Sequence, residues 1–488
     1  MRLQRKSIKS PNSGAISIYL SLIFSLIISL FLTVVSVARS AVIQVMFECA
    51  VENTLCSVFG EYNKILLDEY DVLFIDLSYL SNSPDIANLE KKINDIFYEN
   101  IHPEADEKML FISDLADING ANASIEEYTI ATDFLGQAFI DQSSSYIKNL
   151  VGLEDAQNIL NKISIYNSYE FSSEKYEEQK EKNLEILKIN KEDSWEQTKI
   201  KKDLMTWAYI DTSTMIFLGT DLFKQSKNYI DIWDTLSFRK KHVGNSGIEV
   251  LETIRELDPL ENVYFSEYIL SKLGYYTKQN DYSELKYEIE YVIAGCESDI
   301  MNLQSVSEMV YMVRVLADYI SINKAEDKKE IVEAVAEILE AFLEIPHEVT
   351  TQLVIFLWAS VEAATDVSDL LDGKKVSLIK ASDEINVSLE GLINIIGSSM
   401  DSENPDNTQE ETGLKFGYED YLRAFLYIMP AEGKAYRAMD MIEHDIRKNY
   451  PGNEYFRFDA CVDRIKVSFA IESGYDYRFI TEKKYSYF

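Results

Sequence analysis

Histidines, the side chains that most often do acid–base or metal chemistry near neutral pH, are few and widely separated in this chain. The four of them are His102, His242, His347 and His444, and none belongs to an HExxH motif or stands beside a nucleophile motif. Motifs of the GxSxG, GxGxxG and Walker A types are missing as well. The sequence therefore predicts no catalytic residue, no nucleotide cofactor and no histidine-bound metal.

Three short segments approach known ligand-binding motifs without completing them. The Gly-Lys-Lys at 373–375 lacks the upstream glycine and the hydroxyl with which a phosphate loop holds phosphate and Mg²⁺. Asp76 and Ser78 resemble the start of the DxSxS metal-adhesion motif of von Willebrand A-type domains, but the fifth position is Leu80, which has no hydroxyl. The acidic stretch 401–412 lacks the glycine and the spaced ligands of an EF-hand loop. We expect no cofactor and no bound metal at any of them.

The run YEIEY contains two glutamates, Glu288 and Glu290, and a pair of carboxyl groups can act as the acid and the base of a catalytic site. Residues two apart on a helix point about 200° away from each other, so these carboxylates cannot share one substrate. We interpret Glu288 as a helix-face or buried hydrogen-bonding carboxylate.

The four cysteines, Cys49, Cys56, Cys296 and Cys461, form no CxxC pair and no cluster with histidine. Cys49 and Cys56 fall on one predicted helix about 10.5 Å apart along its axis, too far to bond to each other. The expectation is four buried free thiols.

The composition is that of a folded, acidic protein. Apolar residues make up 47% of the 488 residues, with 31 Tyr and 23 Phe, which is too many for a disordered chain. Against 47 Lys and Arg stand 82 Asp and Glu, a formal net charge of −35. This charge repels phosphates, so we expect no nucleic acid partner.

The N-terminal 40 residues predict a membrane anchor. An uncharged apolar run covers 15–38, long enough for the roughly 30 Å hydrocarbon core of a bilayer. A cleaved secretory signal is the alternative, but its apolar part usually has only about 7 to 15 residues. Four cations precede the run, Arg2, Arg5, Lys6 and Lys9, so the positive-inside rule places residues 1–14 in the cytoplasm and the bulk of the chain outside.

The rest of the chain predicts an α+β head on a stalk. Helical spacing continues from the span through 39–69, and apolar runs at 70–80, 109–118 and 125–132 predict strands around a helix at 86–101. These elements form the N-terminal part of the head, 70–133.

A mostly helical region at 134–450 follows. It includes a charged segment at 169–202, interpreted as a solvated helix or a mobile excursion, a short apolar core helix around 353–359 and an acidic loop at 398–412. The segment 451–488 predicts a β-hairpin, with strands at 455–472 and 475–487. Because a lone hairpin is marginally stable, we predict that it joins the N-terminal strands in one antiparallel sheet.

A long N-terminal helix that is apolar in its first half and leads to a sheet resembles type IV pilin-like proteins. The junction of Ser13, Gly14, Ala15 and Ile16 resembles a prepilin peptidase site of the tight-adherence (Tad) system, as in TadE- and TadG-like proteins. This resemblance implies cleavage between Gly14 and Ala15. Pilins usually have Glu at the fifth mature position, whereas this chain has Tyr19, which argues against a major polymerising subunit.

Longer passages resemble a family of uncharacterised single-span envelope proteins of Gram-positive bacteria associated with Tad pilus loci. They are GAISIYLSL (14–22), EYTIATDFLGQAF (127–139), LKYEIEYVIAG (285–295), LDGKKVSLIK (371–380) and YFRFDACVD (455–463). The resemblance implies a membrane-anchored, extracytoplasmic structural or interaction protein, pilin-like or accessory to a Tad-type pilus. Its implied partners are the lipid bilayer and pilus-assembly or other envelope proteins. The alternatives are an envelope hydrolase whose site forms only in three dimensions and a single-span structural or sensory protein unrelated to pili.

Overall fold

The computed structural model describes residues 13–79, 83–102, 117–208, 225–239, 256–280, 282–387 and 414–487. Its helices are α1 Ser13–Phe59, α2 Lys64–Tyr70, α3 Ile86–Ile101, α4 Gln137–Leu150, α5 Leu153–Ser168, α6 Ser173–Ile186, α7 Trp195–Ala208, α8 Leu236–Arg239, α9 Pro259–Lys272, α10 Glu288–Ala294, α11 Asp299–Lys324, α12 Glu326–Leu343, α13 His347–Leu371, α14 Tyr418–Ile428 and α15 Ala431–Asn449. Its strands are β1 Ile75–Asp76, β2 Ile118–Ile130, β3 Val376–Ser377, β4 Lys415–Phe416, β5 Cys461–Ser473 and β6 Arg478–Ser486.

One antiparallel sheet joins the two ends of the chain. β5 is its central strand, with β2 paired along one side and β6 along the other. β1 pairs only with the first two residues of β5, Cys461 and Val462. The predicted α+β fold, with a sheet built from N-terminal and C-terminal strands, is confirmed.

The second half of α1 packs on this sheet together with α3. Ile43, Phe47, Val51, Leu55 and Val58 follow one another at three- and four-residue steps and are all buried. They meet the face of β5 that carries Ile465, Val467, Phe469 and Ile471. We call this group, with the buried residues of α3, the sheet core.

Helices α4 to α15 surround a second and larger core, which we call the helical core. It includes Trp358 of α13, and every residue from Leu353 to Ala359 is buried there, as expected for a core helix. The helical core meets the sheet at the start of β5, where Phe458 and Cys461 are buried among its members. The helical part therefore lies at the end of the sheet opposite the β5–β6 turn.

Helix α3 covers the outer edge of β2 with polar side chains. Asn94 accepts a hydrogen bond from the backbone N–H of Ala123 (2.8 Å) and donates to its carbonyl oxygen (2.7 Å). The ring Nε2 of His102 contacts the carbonyl oxygen of Ile118 at 3.2 Å. These contacts partner backbone groups that an edge strand would otherwise present to another chain.

The predicted stalk and first strand both differ from the structure. The stalk was expected to be helical through 69, but α1 ends at Phe59 and the chain turns at Gly60 before α2 begins, with Asn63 capping its first turn. The strand predicted at 70–80 is reduced to Ile75–Asp76, because β6 pairs with β5 from Arg464 onward and leaves β1 only the start of that strand.

Three further predictions need correction. The strand expected from 455 begins at Cys461, after the 3₁₀ turn Phe458–Ala460. The charged segment 169–202 forms α6 and the first part of α7 with mostly exposed side chains, which agrees with the solvated-helix interpretation. The alternative of an excursion is not met, because Tyr176 and Leu187 attach the segment to the helical core. The region 134–450 also contains a two-stranded sheet, β3 with β4. The first twelve residues of the predicted leader 1–14, most of the strand at 109–118 and the acidic loop 398–412 lie outside the described residues.

Candidate functional site

The first half of α1 presents large apolar side chains to the outside. Ile16, Leu26 and Val37 each expose more than three fifths of their surface, and the described part of the chain holds one helix apolar and long enough to cross a bilayer. Exposing large apolar side chains to water is unfavourable in free energy, whereas contact with lipid acyl chains is favourable. This single N-terminal helix fits a membrane anchor or a signal sequence.

The edge strand β6 runs alongside the second half of α1. At one end the Tyr477 hydroxyl donates to the Ser36 carbonyl oxygen (3.2 Å), and at the other the Tyr487 hydroxyl donates to the Phe59 carbonyl oxygen (2.8 Å). Between them, Lys483 pairs with Glu52. The strand advances roughly 33 Å between these contacts and the helix roughly 35 Å, so the two run parallel.

The turn between β5 and β6 therefore lies at the end of the exposed half of α1. We call residues 474–477 the basal turn. The Arg39 guanidinium lies 3.7 Å from the centre of the Tyr475 ring, and the Ser36 and Tyr477 hydroxyls are 2.5 Å apart. A Cβ at Gly474 would lie 2.1 Å from the Asp117 carboxylate, so a larger residue at this position would require that side chain to move.

A buried ion cluster lies in the helical core. The Arg314 guanidinium bonds both Asp318 (2.6 Å) and Asp366 (2.8 Å), and Lys380 bonds Asp366 (2.7 Å) and Glu362. Burial opposes the charge of Arg314, but Asp318 and Asp366 hold its pKa above the usual value. The cluster joins α11, α13 and the segment after β3, and its groups are directed at one another, which suits a structural role.

The two glutamates of α10 are fully buried and bind the same loop. Glu288 accepts a hydrogen bond from the Gly274 N–H (2.6 Å), and Glu290 accepts from the Tyr276 N–H and the Tyr418 hydroxyl (2.9 Å each). Burial raises the pKa of Glu290 to about 7, and burial followed by the charge of Asp445 raises that of Glu288. Glu288 is thus a buried hydrogen-bonding carboxylate, as predicted.

The described histidines stay apart from one another. His102 stacks on Tyr98, and His444 contacts Glu284 at 3.2 Å. His347 lies between the carboxylates of Glu333 and Glu340 on α12. His242 lies outside the described residues. Within those residues, no three His, Cys, Asp or Glu side chains are grouped as metal ligands would be.

All four cysteines are free, but of the four only Cys461 is buried as expected. Cys296 is half-buried, and Cys49 and Cys56 are exposed. Cys49 and Cys56 fall beside the buried stripe of α1, which passes through Phe47, Val51 and Leu55.

Asp76 is the first residue of the incomplete metal motif. Its carboxylate accepts a hydrogen bond from the Ser78 N–H (2.8 Å).

An apolar cleft of about 520 Å³ opens between α5, α11 and α14. Its lining includes Phe171, Met309, Met312, Phe425, Ile428 and Met429. Among the residues that the structure describes, no Asp, Glu or His lines this cleft.

The ion cluster and the Asn94 bridge to β2 were not predicted. Arg314 and Asp318 are four apart in a helix, a spacing typical of ion pairs, but this spacing is the same for exposed and buried pairs and does not show that both residues are buried. The Gly14 and Ala15 junction lies in the first turn of α1. Cleavage there stays a prediction.

Residues 174–473 match the model of a family of unknown function, DUF5702, over more than half of the chain. The chain belongs to this family. The DUF5702 match begins in α6 and ends at Ser473, the last residue of β5, so it covers most of the helical part and the central strand of the sheet. No curated protein and no solved structure matches the chain.

Proposed function

We propose that this DUF5702 protein is a membrane-anchored, extracytoplasmic structural or interaction protein, pilin-like or accessory to a Tad-type pilus or a related envelope apparatus. The observation that carries the proposal is the division of α1. Its first half has exposed apolar side chains, and its second half is fixed to an antiparallel sheet. A helix divided in this way can hold a folded head at a set distance from a bilayer.

The charge distribution supports an outward-facing head. Arg2, Arg5, Lys6 and Lys9 precede the span, and the positive-inside rule keeps such a cluster in the cytoplasm. Because those four cations lie on the cytoplasmic side, the remainder of the chain has a net charge of −39, against −35 for the whole. A strongly acidic surface suits a solvated protein that repels the anionic membrane surface except where it is anchored.

The polar clusters of the head support a structural role over catalysis. An envelope hydrolase would require acid and base groups that open into a cleft, and the raised-pKa carboxylates Glu288 and Glu290 instead bind backbone N–H groups in the interior. The Arg314 cluster likewise joins elements of the core. What these groups do in the described structure is hold helices and loops together.

Topology is tested with external protease on intact, wall-stripped cells. We expect digestion of everything beyond the second half of α1, with a membrane-protected fragment that contains the span. A cytoplasmic marker protein must survive in the same sample as the control. A C-terminal tag protected from protease would contradict the outward orientation.

Processing and association are tested on protein from native membranes. N-terminal sequencing should begin at Ala15, and the variant Gly14→Leu should retain Met1, with Ser13→Ala as the matched control. An intact Met1 in the wild-type protein would contradict the cleavage.

Affinity capture from gently solubilised membranes tests the association. It should bring pilus-assembly proteins with the wild-type chain, and capture without pilus components would contradict the Tad assignment.

A further inference from the structure

The basal turn lies level with the last turn of the exposed apolar half of α1. Val37 is the final large apolar side chain exposed before the sheet core begins, and the Tyr477 hydroxyl is bonded one residue earlier, at Ser36. The helix rises roughly 32 Å from Ile16 to Val37, which matches a hydrocarbon core of about 30 Å. A bilayer that covers this stretch therefore ends at the height of Tyr477.

The residues gathered at this height have the chemistry of a membrane interface. Tyr475 and Tyr477 combine an apolar ring with a polar hydroxyl, and such rings concentrate where headgroups meet acyl chains. Arg39 lies against the Tyr475 ring just beyond the apolar stretch, in the position of a cation that reaches toward lipid phosphates. Tyr475 also keeps 43% of its surface exposed, although it already covers Arg39.

The charges around the turn limit how deeply it can enter and which lipid it needs. Asp476 stands between the two tyrosines, and Asp117 and Glu472 lie beside them, with Glu472 at 3.5 Å from the Arg478 guanidinium. Carboxylates stay hydrated, so the turn belongs in the headgroup layer and not among the acyl chains. Because acidic and basic groups alternate here, attraction to anionic lipid is not required.

We propose that the basal turn rests in the headgroup layer of the bilayer that α1 spans, with Tyr475 and Tyr477 as its lipid contacts. This inference rests on the proposed membrane anchor and adds an orientation to it. In this orientation the β5–β6 turn contacts the membrane, and the helical part lies at the opposite end of the sheet, away from the membrane. The span and the turn then form two attachments that fix the tilt of the head.

The test is photocrosslinking of the full chain in phosphatidylcholine nanodiscs. The amino acid p-benzoylphenylalanine is introduced separately at Phe24, Tyr475 and Tyr455. Tyr455 is the matched control, because it is a tyrosine of similar exposure (52%) at the far end of the sheet. We expect lipid adducts at Phe24 and Tyr475, detected by mass spectrometry, and several-fold fewer at Tyr455.

Each outcome decides one proposal. No adduct at Phe24 contradicts the membrane anchor itself. Adducts at Phe24 without adducts at Tyr475 would contradict the contact between the basal turn and the headgroup layer, but not the membrane anchor. Equal yields at Tyr475 and Tyr455 would have the same meaning. If the crosslinker disturbs the turn, Tyr475→Trp gives a second measurement: brominated phosphatidylcholine should quench the added fluorescence there and not in Tyr455→Trp.

Discussion

The sheet core and the helical core are stabilised by different kinds of side chain. The sheet core consists of aliphatic and aromatic residues, such as Phe47, Phe97 and Phe469, whose rings meet edge to face. Asp463 of β5 is buried too, but it faces the helical part and accepts a hydrogen bond from Gln142. The helical core instead encloses the Arg314 cluster and the carboxylates of α10.

The two cores therefore contribute differently: apolar burial in the sheet core contributes mainly stability, and the buried charges of the helical core mainly favour one specific packing. Apolar burial stabilises in proportion to area and tolerates many arrangements, which suits a joint that only has to hold a sheet on a helix. A buried ion cluster adds little net free energy, but it penalises any packing that leaves one charge unpaired. We therefore expect the sheet core to respond to loss of apolar area and the helical core to respond to charge and pH.

The largest expected effect is the loss of the C-terminal hairpin, which would show whether the two cores fold as one unit. Deleting residues 451–488 removes β5, the strand to which β1, β2 and β6 all pair, together with Phe458 and Cys461 of the helical core. Cooperative unfolding of the whole head should be lost, as followed in urea by tryptophan fluorescence, since Trp358 lies in the helical core.

The matched control deletes only residues 478–488, which removes the edge strand β6 and leaves β5 paired with β2. It should lower the unfolding midpoint while keeping one transition for the helical core. If the chain lacking 451–488 unfolds with the wild-type midpoint and steepness, the two cores do not depend on each other.

A second large effect is expected from breaking the ion cluster. Arg314→Ala leaves Asp318, Asp366 and Glu362 buried with Lys380 as their remaining cation, so we expect a loss of about 3 to 5 kcal/mol in the free energy of unfolding. The exposed Arg478→Ala is the control and should change stability by less than about 0.5 kcal/mol. Urea titrations of both variants measure the difference, and equal midpoints would refute a structural role for the cluster.

The apolar part of this architecture could be predicted from the sequence because its periodicity is local. The helix at 86–101 has the predicted bounds, and the core helix around 353–359 and the C-terminal hairpin follow equally from spacing. The break after Phe59 was missed, although Gly60 and the capping residue Asn63 mark it. There the amphipathic pattern continues across a turn, and the pattern alone cannot show that the chain changes direction.

The polar interior could not be predicted, because its partners are far apart in sequence. Lys380 reaches Glu362 and Asp366 only once α13 and β3 are packed, and Glu290 reaches Tyr418 across the molecule. Charged residues in a sequence are usually solvated, and nothing in the local pattern marks these as buried. The basal turn was likewise seen only as a hairpin turn, since its height along α1 depends on the pairing of β6.

A moderate effect of pH should distinguish the two cores. The folded-state pKa of Glu290, about 7, lies above that of an unfolded glutamate, so the folded chain keeps the proton longer. Its contribution to the free energy of unfolding should therefore fall as pH rises from about 4 to about 7. Glu290→Gln reproduces the protonated side chain and should match wild type at pH 5 but exceed it at pH 8 by about 1 to 3 kcal/mol. The exposed Glu472→Gln should show no such difference, and a parallel pH dependence of Glu290→Gln and wild type would contradict the assignment.

The smallest expected effect concerns the covered edge of the sheet, where the apolar core depends on one polar side chain. Asn94 supplies both a donor and an acceptor to Ala123, as a neighbouring strand would. Asn94→Ala should lower the free energy of unfolding by about 1 to 2 kcal/mol, because two backbone groups lose their partner. It should also open the β2 edge to other chains, so we expect concentration-dependent association in analytical ultracentrifugation. Asn122→Ala, at an exposed position of the same strand, is the control and should leave the protein unchanged in both measurements. If Asn94→Ala were as stable and as monodisperse as this control, α3 would protect the edge by its bulk alone, and the sheet core would need no polar contact to remain closed.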